Sequence, residues 1–345
     1  MKTFDCRLNS QGFSAGSCAV DLNGKSVPAC QATLKYENSQ IYRLITSIHL
    51  SRPENYLSIY QSGCNFSCRK CHSWDFTKVK QGAWYTPHDI LDKARTYDKL
   101  VTLKEPRTMA TAWHAHDSCH CCGSCVTYGE RPPTCPAVLD PKSVVLSPQG
   151  YGPARNIAAF TGGDVMCCPE FYGEGARLIK ESTGLWVLLE TNGYGLTPQN
   201  LDYLKTSGVD AFWLDIKAFN PETHRWLTGC SNERILNLPT EIKQRGFVLE
   251  VLSLYIPGVV ETKELAKIAK LLCATDSDIP FTLLAFFPEY RMKDYCRPTV
   301  KEMVAAYKEV KATGLKNIRL GNLGVFVRTE ADQRFLIDNV ALEAF

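Results

Sequence analysis

Short apolar runs alternate with helix-like patterns along much of this chain. Six such runs lie between residues 157 and 321, and a pattern such as TKELAKIAKLL follows each of the first five. Strands that are apolar on both faces need helices on both sides, so the alternation predicts parallel βα units in a doubly wound sheet or in a full or partial barrel. Function then lies at the carboxyl ends of the strands. The predicted strands, with an earlier run YLSIYQ, are 56–61, 157–160, 185–190, 211–216, 248–256, 281–287 and 317–321.

The composition is that of an ordinary globular protein. The 345 residues are 45% hydrophobic and 22% charged, with a formal net charge of +3. This charge gives no indication of a nucleic-acid or membrane partner. The first residues, MKTFDCRLNS, lack the apolar run of a signal peptide, and no stretch is long enough to span a membrane. We therefore expect a cytoplasmic protein.

Cysteine is the unusual part of the composition. Sixteen cysteines without an export signal favour metal or redox chemistry over a disulfide framework, because the cytosol keeps thiols reduced. Cys230, Cys273 and Cys296 stand alone and are expected to be small buried hydrophobes. The others fall into groups: Cys64, Cys68 and Cys71; Cys119, Cys121, Cys122, Cys125 and Cys135; Cys167 and Cys168; and Cys6, Cys18 and Cys30.

The first group directly follows the first predicted strand, in the stretch SGCNFSCRKCHSWDF. Cys64, Cys68 and Cys71 can bind three irons of a [4Fe–4S] cube and leave the fourth iron open to a ligand. Two alternatives remain at this point. One is a zinc site completed by His72 or by a distant residue, and the other is a redox motif.

The C-x3-C-x2-C spacing is the cluster motif of the radical S-adenosylmethionine (SAM) enzymes, and the chain resembles that superfamily further on. FTGGDVMCCPEF resembles its Gly-Gly-Glu segment, with Asp164 in place of Glu. LLETNGYG, AFWLDIKAFNPETHRWLTGCSN and FTLLAFFPEYRMKDY are similar, in order and spacing, to segments of the pyruvate formate-lyase activating enzymes and their archaeal and bacterial relatives. The resemblance covers roughly residues 56–326 and implies a partial (β/α)6 barrel.

The resemblance also implies an activity. SAM would chelate the open iron through its amino and carboxylate groups, and an electron from the cluster would release methionine and a 5′-deoxyadenosyl radical. In glycyl-radical enzyme activating enzymes this radical takes a hydrogen from a glycine of a partner protein, with electrons from a reduced donor such as ferredoxin or flavodoxin. The SAM contacts carried over from the family are Lys70, His72, Gly162, Gly163, Asp164, Glu190, Asn192, Asp215 and Lys217.

Three positions depart from the family pattern. Lys70 stands where the family usually has an aromatic residue, and Phe287 stands where its members commonly carry a histidine. Leu252 replaces an arginine that some activating enzymes direct toward SAM. Two alternatives therefore stay open: a radical SAM enzyme that acts on another peptide, an RNA or a small molecule, and a non-catalytic iron–sulfur or zinc-binding protein.

The cysteine-rich middle segment predicts a second metal centre. Its spacing C-x2-C-x2-C-x9-C-P is close to a ferredoxin run, and a subset of glycyl-radical activating enzymes carries a ferredoxin-like insert at this place. We expect one auxiliary [4Fe–4S] cluster, with zinc, completed by His114, His116 or His120, as the alternative. Its predicted ligands are Cys119, Cys122, Cys125 and Cys135, with Cys121 as a spare or alternative ligand.

The predicted domains follow from these motifs. Residues 1–45 form a small β-rich appendage, in which CAVDLNGKSV has the composition of a hairpin with an Asn-Gly turn. Residues 46–110 and 136–345 form the barrel, and residues 111–135 form the insert. Cys167 and Cys168 are expected to be a buried pair at the start of a helix.

Overall fold

The computed structural model describes residues 6–345, and a central sheet of mainly parallel strands organises them. Every strand expected from the sequence is confirmed, with ends that agree to within two residues. The strands are β1 (Val20–Leu22), β2 (Lys25–Val27), β3 (Leu34–Glu37), β4 (Gln40–Leu50), β5 (Leu57–Gln61), β6 (Ala83–Tyr85), β7 (Val145–Ser147), β8 (Gly150–Gly152), β9 (Ile157–Gly162), β10 (Trp186–Thr191), β11 (Ala211–Asp215), β12 (Val248–Tyr255), β13 (Phe281–Ala285) and β14 (Ile318–Gly321).

The order of the strands fixes the architecture. Within the described residues, seven parallel strands lie side by side in the order β5-β9-β10-β11-β12-β13-β14. The order follows the chain and never reverses, whereas a doubly wound sheet reverses at its switch point. The fold is therefore the α/β partial barrel that the resemblance implied, and all seven strands end at the same edge.

Helices follow the strands and cover the outer side of the sheet. Helix α4 begins as predicted, because Thr86 and Asp89 form a capping box and Pro87 takes the first helical position. No helix among residues 6–345 is long and apolar enough to cross a membrane. The α-helices are α1 (Arg7–Ser10), α2 (Ala29–Thr33), α3 (Trp74–Thr77), α4 (Pro87–Asp98), α5 (Ala115–Ser118), α6 (Ser124–Thr127), α7 (Glu170–Ser182), α8 (Pro198–Thr206), α9 (Pro221–Thr228), α10 (Leu238–Gln244), α11 (Thr262–Thr275), α12 (Val300–Lys311), α13 (Leu323–Phe326) and α14 (Glu330–Asn339).

The N-terminal appendage extends the central sheet. Strands β1 and β2 form the predicted hairpin around an Asn-Gly turn, and residues 1–5 lie outside the described chain. Strands β3 and β4 pair antiparallel, and β4 pairs antiparallel with β5. The boundary expected at residue 45 thus falls inside β4, and the division into domains stays a prediction.

The segment between α4 and β9 crosses the opposite edge of the sheet, where the parallel strands begin. Trp186, the first residue of β10, donates its indole N–H to the carbonyl of Glu105 at 2.8 Å. Arg107 donates to Asp210, just before β11, at 2.9 Å and to the carbonyl of Gly246, just before β12, at 3.0 Å. This segment closes the amino-terminal end of the barrel and leads into the cysteine-rich insert.

Candidate active site

A cavity of about 340 Å³ opens at the carboxyl ends of the parallel strands. Its size is within the range of ordinary ligand pockets, roughly 300–1,000 Å³. The fold brings most residues of the predicted cluster and SAM site to its wall, although they come from the ends of four strands that lie far apart in the chain. These residues are Cys64, Cys68, Lys70, Cys71, His72, Gly162, Asp164, Glu190, Asn192, Asp215 and Lys217.

Gly163, the remaining predicted SAM contact, is not among the residues that line the cavity. A Cβ at this position would lie 2.1 Å from the carbonyl oxygen of Gly63 and 2.6 Å from that of Gln61. The backbone N–H of Gly163 donates to the same Gln61 oxygen at 2.8 Å. Only glycine permits this approach, which packs the segment after β9 against the loop that carries Cys64.

The three thiols differ in their surroundings. Burial raises the pKa of Cys64 and raises that of Cys68 to about 12, although nearby lysine charges oppose the shift. The Cys64 sulfur accepts from the backbone N–H of Phe66 at 3.5 Å and from the Asn192 amide at 3.6 Å. These donors favour a thiolate, and thiolate is the form that binds metal.

No three His, Cys, Asp or Glu side chains in the described part of the chain are arranged as the ligands of a single metal ion.

Asp164 is buried and already bonded within the protein. Its carboxylate accepts from the backbone N–H groups of Met166 at 2.9 Å and Asn192 at 3.0 Å, and from the Thr191 hydroxyl at 2.7 Å. Burial raises the pKa of Asp164. Since a carboxylate has about four acceptor sites, one remains for a ligand in the cavity. Asp164 therefore joins the loops after β9 and β10 in addition to facing the cavity.

Asn192 supports the cysteine loop. Its amide N–H donates to Asn65 at 2.6 Å as well as to the Cys64 sulfur, and its carbonyl oxygen accepts from the backbone N–H of Tyr194 at 3.0 Å. The side chain predicted to contact SAM thus also holds the segment between Cys64 and Cys68.

Asp215 and Lys217 form an ion pair where β11 ends. Burial acts to lower the pKa of Lys217, but the charge of Asp215 and the interaction with Cys68 raise it, so the ammonium stays charged. The other carboxylate oxygen of Asp215, Oδ1, is buried and has no hydrogen-bond partner among the described residues. A buried acceptor without a partner in a ligand-sized cavity is free for a donor on a ligand.

Lys70 has an acidic partner that sequence reasoning missed. Its ammonium donates to Glu289 at 2.5 Å and lies 3.5 Å from the centroid of the Phe287 ring. Glu289 also contacts His72 Nδ1 at 3.1 Å. Two of the departures from the family pattern are therefore neighbours, since Lys70 lies on the face of Phe287. The signal in the sequence was the glutamate of AFFPEY.

Glu190, predicted to contact the ribose, lines the cavity and is bonded to two hydroxyl groups within the protein. Tyr56 donates to one carboxyl oxygen at 2.9 Å, and the Thr161 hydroxyl donates to the other. Burial raises the pKa of Glu190 to about 8, and the charge of Glu54 adds to the shift. Glu250, on a neighbouring part of the sheet, has its pKa raised by burial to about 7. Burial in the interior of the barrel thus raises the pKa of two carboxyl groups toward or above neutral pH.

The predicted auxiliary ligands lie at the other end of the barrel. The Cys119 sulfur accepts from the backbone N–H of Cys121 at 3.3 Å, and the Cys121 thiol donates at 3.3 Å to Asn55, just before β5. Cys122 is exposed. None of these insert cysteines is among the residues that line the cavity within the described chain, nor are Cys125 and Cys135.

A third group of cysteines joins the appendage to the barrel. Cys30, from α2, interacts with Cys168, which in turn interacts with Cys167, and Cys6 and Cys18 lie close to Cys30 or Cys167. Cys30, Cys167 and Cys168 are buried, as expected for the last two. No spacing pattern in the chain predicted this proximity.

The lone cysteines differ from one another. Cys230 is buried as expected, and its sulfur accepts from the backbone N–H of Ser17 at 3.1 Å. Cys296 is exposed, so the expectation of a buried side chain was wrong there. It lies in the loop between β13 and α12.

Comparison with known proteins found a family model that matches part of the chain. The model of the radical SAM superfamily matches residues 122–272. This match covers less than half of the chain. The matched residues begin in the insert and end in α11, so they include the segments after β9, β10 and β11 and do not include Cys64, Cys68 and Cys71.

The chain is also similar to one curated protein and to two solved structures. A Methanocaldococcus jannaschii protein, provisionally named a glycyl-radical enzyme activating enzyme, is 31% identical over 146 residues, which are 41% of this chain and 54% of that protein. The chain thus spans about half the length of the curated relative it matches.

Among solved structures, a domain of pyruvate-formate lyase-activating enzyme from Bacteroides vulgatus is 17% identical, with a TM-score of 0.42, over 48% of this chain and 98% of that one. Streptococcus suis SuiB bound to S-adenosylmethionine is 11% identical, with a TM-score of 0.45, over 74% of this chain and 47% of that one.

Proposed function

We propose that this protein is a radical SAM enzyme that cleaves SAM reductively and installs a glycyl radical on a partner protein. The observation that carries the proposal is the cavity at the carboxyl ends of the strands, where three cysteines of one loop face polar groups from three other strands. A [4Fe–4S] cluster with an open iron supplies, when bound, the electron that splits SAM into methionine and a 5′-deoxyadenosyl radical.

The residues present fit such a group. Cys64, Cys68 and Cys71 would hold the cluster, and the hydrogen bonds to the Cys64 sulfur would tune it. Asp164 has one free acceptor site for the ammonium of SAM, and the unpartnered Oδ1 of Asp215 is an acceptor for a hydroxyl or amino group. The cavity is large enough for a ligand of this size.

Each remaining side chain has a task in this arrangement. Lys217 holds Asp215 in place, Asn192 holds the cysteine loop, and Gly162 and Gly163 let backbone approach the ligand. Lys70 and His72, fixed by Glu289, lie at the mouth, and Glu190 lies at the inner end. The barrel wall excludes water and unwanted hydrogen donors from a reactive radical.

The proposal that the radical takes its hydrogen from a glycine of a partner protein rests on the Methanocaldococcus jannaschii relative. The curated relative carries the name of a glycyl-radical enzyme activating enzyme. A cavity that opens at the edge of the sheet can admit a loop of a second protein, and a ferredoxin or flavodoxin would supply the electron.

We further propose an auxiliary [4Fe–4S] cluster in the insert, held by Cys119, Cys122, Cys125 and Cys135. The insert lies against the amino-terminal end of the barrel and outside the cavity wall. This position fits electron entry from a donor better than contact with the substrate. Zinc at this site is the alternative that metal analysis would reveal.

The test is anaerobic reconstitution with iron and sulfide, followed by addition of dithionite and SAM and measurement of 5′-deoxyadenosine. Wild-type protein should form it, Cys68→Ala should not, and Cys296→Ala, which removes an exposed cysteine outside the cavity, should behave as wild type. SAM that stays intact in the wild-type protein, with a full iron content and with candidate partner proteins added, would contradict the proposal.

A further inference from the structure

Exposed aromatic and arginine side chains form a continuous surface beside the mouth of the cavity. Trp74, of which 40% is exposed, stacks on Tyr290 with ring centroids 5.3 Å apart and an interplanar angle of 10°. The guanidinium of Arg291 lies 5.2 Å from the centroid of the same Tyr290 ring. These three side chains are the first half of the surface, which we call the aromatic rim.

The second half centres on Trp226, of which 37% is exposed. The Arg69 guanidinium lies 4.6 Å from its ring centroid, and Tyr295 lies 6.2 Å from it. The backbone N–H of Arg291 donates to the carbonyl of Arg69 at 3.3 Å, so the two halves are joined. The aromatic rim thus consists of Arg69, Trp74, Trp226, Tyr290, Arg291 and Tyr295.

The position of the rim relates it to the site. Its side chains come from segments that follow β5, β11 and β13, all at the carboxyl edge of the sheet. Arg69 lies between Cys68 and Lys70, and Trp74 follows His72 by two residues, while Cys68, Lys70 and His72 line the cavity. Whatever enters the cavity from this side passes the rim.

The rim carries two arginines and, next to Trp74, one exposed acid, Asp75, so its charge is positive. Throughout residues 6–345, no carboxylate forms an ion pair with Arg69 or Arg291. Glu289, the nearest acid in the chain to Arg291 on the amino-terminal side, is paired with Lys70 and His72. Lys293 and Arg297 are also exposed in this loop, where Asp294 is the exposed acid.

From these observations we propose that the aromatic rim docks a protein segment that carries carboxylates together with apolar side chains. Tryptophan, tyrosine and arginine are the residues that most often dominate binding at protein interfaces. Arg69 donates its Nε–H to the carbonyl of Trp226 at 3.0 Å, and the terminal N–H groups of a guanidinium that has no ion pair can take a carboxylate in a bidentate bond. The inference rests on the proposed function, since the segment belongs to the protein substrate.

A single-stranded nucleic acid is the other macromolecule that binds aromatic rings and arginines, and it needs open ring faces on which bases can stack. Here the Tyr290 ring contacts both Trp74 and Arg291, and Trp226 is covered by Arg69. Each of these rings therefore has at least one face in contact within the protein, which favours a peptide over stacked bases.

Fluorescence anisotropy with labelled peptides of defined sequence tests the proposal. The probes are a peptide of repeated Glu-Phe-Gly units and its Gln-Phe-Gly and Lys-Phe-Gly counterparts, with oligothymidylate as the nucleic-acid probe. The reconstituted full-length protein should bind the Glu peptide about tenfold more tightly than the Gln peptide, and more weakly as salt rises, because exposed charges are screened.

Variants locate the site. Arg69→Gln combined with Arg291→Gln should reduce affinity for the Glu peptide by about tenfold, which corresponds to about 1.4 kcal/mol, and leave binding of the Gln peptide unchanged. Arg334→Gln, which changes an exposed arginine of α14, is the matched control and should bind as wild type. Thermal unfolding of each variant establishes that it is folded.

Equal binding of the Glu and Gln peptides, tighter binding of oligothymidylate, or an undiminished affinity in the double variant would overturn the proposal. Formation of 5′-deoxyadenosine is measured on the same preparations without peptide. If the wild-type protein cleaves SAM but does not prefer the Glu peptide, only the docking role of the rim is rejected. If the wild-type protein does not cleave SAM, the proposed function is rejected.

Discussion

The ammonium of Lys70 lies 2.5 Å from the carboxylate of Glu289, and the two side chains join the loop after β5 to the loop after β13 across the mouth of the cavity. The Lys70 side chain is only 5% exposed, whereas Glu289 is 25% exposed. Burial lowers the pKa of Lys70, and Glu289 counteracts this shift. The pair closes the open side of the partial barrel next to the cysteine loop.

Replacing Glu289 by Gln should destabilise the protein, because the buried ammonium of Lys70 then lacks a charged partner. We expect a loss of about 1–3 kcal/mol in the free energy of unfolding, below the range for a fully buried pair because Glu289 is partly exposed to water. Urea denaturation measures the free energy of unfolding, with Glu309→Gln, which changes an exposed glutamate of α12, as the control. Adding Lys70→Met to Glu289→Gln should restore part of the loss. Equal stability of Glu289→Gln and Glu309→Gln would refute this account of the pair.

Gly163→Ala should disturb the cysteine loop. The added Cβ would meet backbone oxygens of Gly63 and Gln61, which cannot rotate away as a side chain can. Overpacking of this kind costs about 1–3 kcal/mol and would displace Cys64. Iron content after reconstitution and SAM affinity by equilibrium dialysis should both fall. Gly324→Ala is the control, because a Cβ there meets nothing within 4 Å. Normal iron loading and SAM affinity in Gly163→Ala would show that the close approach is dispensable.

Stability should depend on pH through Glu190. Its pKa is about 8 in the folded protein and near 4.3 when unfolded, so the folded state binds more protons between these values. The stabilisation present below the unfolded pKa is therefore lost as pH rises toward 8, by at most about 1.4 kcal/mol per pH unit. In Glu190→Gln this contribution is absent, so the stability of the variant relative to wild type should increase from pH 5 to pH 8. A constant difference, as expected for Glu309→Gln, would contradict the raised pKa.

Thiol reactivity should separate the buried cysteine group from the exposed cysteines. Cys30, Cys167 and Cys168 are buried, and interactions among these thiols together with burial raise the pKa of Cys168, so little thiolate is available for alkylation. Cys122 and Cys296 are exposed. In the metal-free protein, iodoacetamide followed by peptide mapping should modify Cys296 at least about tenfold faster than Cys168. The control is the denatured protein, in which the two cysteines should be alkylated at equal rates. Similar alkylation rates of Cys168 and Cys296 in the native protein would place Cys168 at the surface.

Local patterns in the sequence were sufficient for the fold. Apolar runs such as LWVLLE predicted β10 because a strand with helices on one face and the barrel interior on the other buries most of its side chains. The Thr86-Pro87 pair predicted the start of α4 because it satisfies the first helical N–H groups. Residues that directly follow parallel strands had to meet at one edge, and Cys64, Asp164, Asn192 and Lys217 do so.

Contacts between distant segments were not predictable in the same way. Lys70 and Glu289 are 219 positions apart, and no local periodicity links them. The pairing of β4 with β5 joins the appendage to the barrel. The sequence does not predict this pairing, because β3 and β4 could also pair with each other alone. The position of the insert at the amino-terminal end depends on two side chains. Arg107 donates to Asp210, and Trp186 donates to the carbonyl of Glu105, and both partners are distant in the chain.

The most direct test of the central claim is electron–nuclear double resonance on the reduced, reconstituted protein with SAM labelled in its amino group. If Cys64, Cys68 and Cys71 leave one iron open at the cavity, the labelled nitrogen should couple to the cluster signal in the wild-type protein. In Cys119→Ala, which removes a predicted ligand of the other site, the same coupling should persist. A wild-type protein that binds SAM and shows a cluster signal without any coupling to the labelled nitrogen would contradict the account.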